Sequence, residues 1–215
     1  MSPLVFMERP ASAQAEGLLV LHHGRGADER DLLSLGDALD PERRLHIATP
    51  RAPLALPRRT GHHWYVVPRV GYPDPATFGD SYRALAEFHD ELWENTKIAP
   101  ERTVLGGFSM GSVMSFALGL GPDRPAVAGI LALSGFIPVV EGWRPAYKDR
   151  LAMRAFIAHG RHDPVIPVAF GRHARDRLES EGLTVEYHES GAAHQIEPSQ
   201  LPLATGWLAG TLGAA

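Results

Sequence analysis

The chain has 215 residues, and 21 Lys and Arg against 25 Asp and Glu leave a formal charge of −4 with the histidines neutral. This length suits one α/β domain with a sizeable core, while mild acidity without a long basic run argues against nucleic acid or an anionic membrane as partner. With no cysteine there is no disulfide, no thiolate metal site and no cysteine nucleophile.

In chain order, β-like runs fall at 4–7, 17–22, 45–49, 103–107, 129–133, 155–159 and 184–188, and helical patterns at 29–39, 80–96, 110–118, 168–181 and 201–212. The clearest helix is 80–96, where Tyr82, Leu85, Phe88 or His89, and Leu92 form one face and Arg83, Glu87, Asp90, Glu91 and Glu94 the other. Alternation of strands and helices predicts a mostly parallel sheet flanked by helices, as one domain over 1–215. Two stretches, 50–79 and 138–151, carry no clear period. Loops of that length in a compact domain are usually functional, and both follow strands whose carboxyl ends are where ligands of open α/β sheets bind. No run approaches the ~18 apolar residues of a membrane span. Met1 to Ala15 lacks a cationic segment followed by an apolar core, so a cytoplasmic protein without membrane insertion is expected.

The most informative motif is Gly107-Phe108-Ser109-Met110-Gly111, between the strand 103–107 and the helix 110–118. G-x-S-x-G in that context is a nucleophile elbow: a sharp turn projects the serine hydroxyl, and the flanking glycines leave room for the bend. A serine hydroxyl is a weak nucleophile, so a base and a group that orients the base are needed. Asp163 follows the strand 155–159 in His159-Gly160-Arg161-His162-Asp163-Pro164-Val165-Ile166-Pro167. His194 follows the strand 184–188 after the small-residue loop Ser190-Gly191-Ala192-Ala193. The order Ser109, Asp163, His194 is that of α/β-hydrolases and of neither chymotrypsin-like nor subtilisin-like proteases. The oxyanion of acyl transfer needs two N–H donors; Met110 is one, and Arg25, in His22-His23-Gly24-Arg25-Gly26-Ala27-Asp28 after the second strand, is the other.

These motifs, with Trp64-Tyr65 and Leu133-Ser134-Gly135-Phe136, resemble the small carboxylesterases related to phospholipase/carboxylesterase proteins and acyl-protein thioesterases. The resemblance covers nearly the whole chain. It implies an α/β-hydrolase fold without a large cap, hydrolysis of small carboxylic esters or thioesters, and catalytic roles for Ser109, Asp163 and His194. One departure is visible: the family usually has glycine before the catalytic histidine, where this chain has Ala193.

Eleven histidines raise the question of a metal, but His22-His23 and His62-His63 are adjacent pairs whose side chains diverge on extended backbone, and no HExxH accompanies them. No metal and no cofactor are expected. His159 is read as a packing or backbone-bonded residue and His162 as a surface one. His23, Trp64, Phe78 and Phe136 are the expected substrate-pocket residues, Trp64 and Phe136 foremost because they sit in loops on the active face. The expected function is a serine carboxylesterase for short-acyl esters, whose partner is a small-molecule ester and whose homodimerisation is open. An acyl-thioesterase or lysophospholipase would use the same machinery. A non-catalytic binding protein on this fold would be expected to lack a triad member.

Overall fold

A computed structural model describes residues 4–57 and 59–213; residues 1–3, 58, 214 and 215 of the expected domain lie outside them. Seven strands form one sheet: β1 (Phe6–Arg9), β2 (Gly17–His22), β3 (Leu45–Pro50), β6 (Thr103–Phe108), β7 (Gly129–Leu133), β8 (Arg154–Gly160) and β9 (Thr184–Ser190). Their order is β1-β3-β2-β6-β7-β8-β9, with β1 antiparallel to β3 and the other neighbours parallel. Two further strands, β4 (Leu54–Ala55) and β5 (His62–His63), make a separate small hairpin.

The alternation along each central strand decides which helical layer it serves. In β2, Leu18 and Val20 join one buried cluster and Leu19 and Leu21 the other; Ile130 and Ala132 against Leu131 and Leu133 in β7, and Ala155 and Ile157 against Phe156 and Ala158 in β8, repeat the division. Successive side chains on a strand point to opposite faces, so an unbroken apolar run is the mark of a sheet covered on both sides. The first cluster is shared with α2 (Pro75–Thr96), α3 (Met110–Gly119) and α4 (Ala169–Ser180), the second with α1 (Leu33–Leu39) and α5 (Leu201–Leu212).

Two helices begin elsewhere than the periodicity predicts. The helix expected at 29–39 starts at Leu33 because Glu29 is used otherwise: its carboxylate takes Arg51 Nε at 2.5 Å and Nη2 at 2.7 Å, and its carbonyl accepts from Thr49 Oγ1 at 2.6 Å. The Arg51 guanidinium holds the Glu29 carboxyl down at about 2. The helix expected at 80–96 starts five residues early, at Pro75. Asp74 caps it by accepting the Thr77 N–H at 2.9 Å, and Pro75 at the first helical position needs no donor partner.

The connection from β7 to β8 holds only a single 3₁₀ turn, Lys148–Arg150, and no helical cap. Buried Arg150 ties it down: Nε donates to Gly119 O at 2.8 Å, and Nη2 to Gly121 O and Arg124 O at 2.6 Å each. A cation is thereby placed on carbonyls at and just beyond the C-terminus of α3, where the helix dipole favours it.

Candidate active site

Ser109 separates β6 from α3 with φ 55° and ψ −119°, a conformation that L side chains avoid and that persists only where the surroundings enforce it. Its N–H donates to Leu133 O at 2.8 Å, and its carbonyl accepts the first helical bond from Val113 N at 3.2 Å. Both glycines of the motif are sterically required. A Cβ at Gly111 would lie 1.9 Å from His22 O, and one at Gly107 would lie 2.5 Å from the Gly111 carbonyl carbon.

Three loops converge on that turn. His194 Nε2 is 2.8 Å from Ser109 Oγ, and His194 Nδ1 is 2.6 Å from Asp163 Oδ2. The other Asp163 oxygen, Oδ1, accepts the N–H groups of Val165 and Ile166 at 2.8 Å each. The Asp163 side chain is fully buried, so these bonds replace the water it has lost. They also assign the proton: a carboxylate that only accepts makes Nδ1 the donor and leaves the Nε2 lone pair facing the serine. Neither amide was singled out in the sequence, although an aspartate before a Pro-containing turn is a recognisable Asx signal. His159 lies beneath this carboxylate. Its Nε2 donates to Ile166 O at 2.8 Å and is 3.5 Å from Asp163 Oδ2; burial lowers its pKa and keeps the ring neutral. His162 is exposed.

Arg25 occupies a turn packed against the elbow: a Cβ on Gly24 would be 3.6 Å from Ser109 Cβ. The turn is pinned by Gly26 N to His62 O and His62 N to Ala27 O, both 2.8 Å. Gly61, at φ 97°, lets the β4–β5 hairpin press onto Gly26, where a Cβ would meet Gly26 O at 2.0 Å. Among the described residues the Arg25 N–H has no backbone partner. Met110 begins α3, so its N–H has no carbonyl within the helix to reach.

All four expected pocket residues are buried. Trp64 is fully buried, its indole N–H donating to His23 O at 2.9 Å and its backbone N–H reaching Met110 Sδ at 3.3 Å. Trp64 therefore braces both halves of the would-be oxyanion site. His23 Nε2 accepts the Ala52 N–H at 3.0 Å and Nδ1 bonds its neighbour's carbonyl, Gly24 O, at 2.7 Å. Phe78 is wedged among Tyr65, Tyr82 and Trp143, and the cleft it borders is lined by none of the three residues of the hydrogen-bonded line. Phe136 is also largely covered, packed on Phe170 with ring centroids 5.2 Å apart. A loop residue on the active face can point inward as readily as outward, and large aromatics gain most by burial. At the histidine loop, Ala193 is exposed, so its methyl meets no wall. The close approach falls to Gly160, where a Cβ would lie 2.3 Å from Ala193 O.

The model of the phospholipase/carboxylesterase family matches residues 6–211. The chain belongs to that family. Within reach of it, a Dictyostelium discoideum protein named acyl-protein thioesterase 1 homolog 1 is 25% identical over 204 residues, covering 90% of each chain. Acyl-protein thioesterase 1 of Debaryomyces hansenii is 29% identical over 163 residues, 71% of this chain and 70% of its own. Among solved structures, esterase PE8 is 30% identical with a TM-score of 0.78, covering 96% of this chain and 98% of its own. The Bacillus cereus carboxylesterase reaches a TM-score of 0.85 at 23% identity over 98% and 95% of the two chains, a likeness of fold. Membership makes the chain a serine hydrolase with the α/β-hydrolase fold, of the esterase and acyl-protein thioesterase kind. Among the described residues no helix is long and apolar enough to cross a membrane.

Proposed function

We propose that the protein is a serine carboxylesterase that hydrolyses small, short-acyl carboxylic esters through Ser109, His194 and Asp163. The observation that carries this reading is the continuous line from Ser109 Oγ through His194 to Asp163, at 2.8 Å and 2.6 Å, built on a serine of positive φ. Ser109 Oγ attacks the ester carbonyl as its proton passes to His194 Nε2; Asp163 stabilises the imidazolium and holds its ring. The N–H groups of Arg25 and Met110 take the tetrahedral oxyanion, the second at the positive end of α3. The imidazolium returns its proton to the leaving alcohol, and a water deprotonated by His194 releases the acid and restores Ser109. The substrate partner is a small molecule, and no cofactor enters the scheme.

The short-acyl preference rests on the uncapped connection from β7 to β8, in which Phe136 packs on Phe170. A buried methylene is worth about 0.8 kcal/mol, so kcat/KM should rise with chain length only until the groove is filled. A p-nitrophenyl ester series below the micelle concentration, run beside acyl-thioesters, tests it: the optimum should lie between acetyl and hexanoyl, with no jump on emulsions. A rate climbing steadily to palmitoyl would transfer the protein to the second reading, an acyl-thioesterase or lysophospholipase. A specific observation favours that alternative: Val66, Val67, Tyr72, Val139 and Val165 are exposed, all on loops that leave the sheet on the Ser109 side.

A further inference from the structure

Beneath the elbow lies a chain of buried polar groups that the reaction scheme does not use. His22, the last residue of β2, places Nδ1 2.8 Å from Ser115 Oγ on α3 and Nε2 3.2 Å from His89 Nε2 on α2. Ser115 Oγ is in turn 3.1 Å from Gly111 O. All three side chains are buried.

The protons can be assigned. A carbonyl only accepts, so the Ser115 hydroxyl donates to Gly111 O and receives from His22 Nδ1–H. Burial lowers the pKa of His22 to about 3 and holds that of His89 well below its ordinary value, so both rings are neutral and His22 Nε2 is a bare lone pair. His89 Nε2 must then carry its proton, which leaves His89 Nδ1 as a lone pair. That is the atom without a partner. The opposite arrangement would bury an orphan N–H there, and a missing donor bond is the costlier defect. The chain therefore has one direction, from His89 through His22 and Ser115 to the Gly111 carbonyl.

Two of its members adjoin the segments that carry the oxyanion donors. Gly111 follows Met110 directly, and Arg25 is three residues beyond His22, on a turn held by Trp64 through the His23 carbonyl. The His22 ring packs edge-on against Trp64 with centroids 5.7 Å apart. We propose that His89, His22 and Ser115 are positioning residues that set the spacing between the Arg25 and Met110 N–H groups. The proposal rests on the oxyanion assignment of the preceding section. It gives the histidine pair a role in transition-state binding and none in substrate binding.

The test uses Ser115→Ala, which removes one oxygen, and His89→Leu beside His89→Gln, whose amide can still donate to His22. Loss of a whole oxyanion donor costs about 10²–10³ in kcat, so a misplaced pair should cost roughly ten- to a hundredfold. Ser115→Ala and His89→Leu should lose that factor in kcat with KM unchanged, and a boronic acid that forms a tetrahedral adduct on Ser109 should weaken in proportion. His89→Gln should recover most of it. Folded variants with wild-type kcat, or a loss shared by His89→Gln, or unchanged boronate affinity, would overturn the proposal. Failure of the underlying reading shows separately, as wild-type protein that takes no phosphonate on Ser109.

Discussion

Ser109 and Ser134 end adjacent parallel strands, β6 and β7, in nearly the same way. Both have positive φ, 55° and 52°, both are buried, and each donates its N–H across to the next strand at 2.8 Å, to Leu133 O and Ala158 O respectively. The backbone turn is thus a property of how these strands end and does not by itself make a nucleophile. What differs is the surroundings. Ser109 opens a helix of ten residues and faces His194. Ser134 runs into the irregular connection to β8 and, among the described residues, makes no side-chain hydrogen bond to a histidine. Gly135 beside it packs onto the first turn of α3, where a Cβ would meet Ser112 Oγ at 2.3 Å. The proposed chemistry falls to one strained serine, while the residue after the other, Gly135, packs against the helix that follows the first.

The largest effect that would test this contrast is on the nucleophile. Ser109→Ala should abolish turnover and organophosphonate labelling while Ser134→Ala stays within a few-fold of wild type, in the range of about 10³ or more between them. Intact mass after labelling decides it, and an adduct surviving in Ser109→Ala breaks the comparison. Next, His194→Ala should lose on the order of 10³ in kcat, as when a triad base is removed, and His162→Ala should lose little. A collapse in His162→Ala with His194→Ala active would place the base on the other loop.

The third expectation sharpens the contrast at the level of stability. His22 and His89 lie against the Ser109 side of α3 with lowered pKa, His22 to about 3 and His89 well below its ordinary value, both chiefly through desolvation. Unfolded, each titrates near 6.5, so between that pH and about 3 the unfolded state binds more protons. Stability should therefore be flat above the unfolded value and fall as pH drops through it, by about 1.4 kcal/mol per pH unit for each histidine involved. Urea titrations from pH 8 to 4 on wild type and His89→Gln measure the slope, which should be shallower in the variant. Equal slopes would exclude His89 from the acid response.

Much of this molecule is legible in its residues. The seven strands lie within a residue or two of their expected places; for β2, β7 and β8 this is because fully covered parallel strands read as unbroken apolar runs. The proposed nucleophile, acid and base follow from motifs that sit at strand ends. The hairpin of β4 and β5 escaped because strands of two residues have no period to detect. The early start of α2 escaped because Pro75 and Gly79 look like breakers, although Asp74-Pro75 is also a capping signature.

What the sequence supplied by itself is the order and identity of the proposed reacting groups: Ser109, then Asp163, then His194, each within a few residues of the end of a strand that local pattern locates. What only the tertiary structure decided is which way the loop side chains face and what holds them. Trp64, Phe78 and His23 turned inward to brace the active face, and His22 found His89 across 67 positions of chain. Strand and motif signals are local and survive in one dimension. The direction of a loop side chain is set by close packing against residues distant in sequence, which no local pattern encodes.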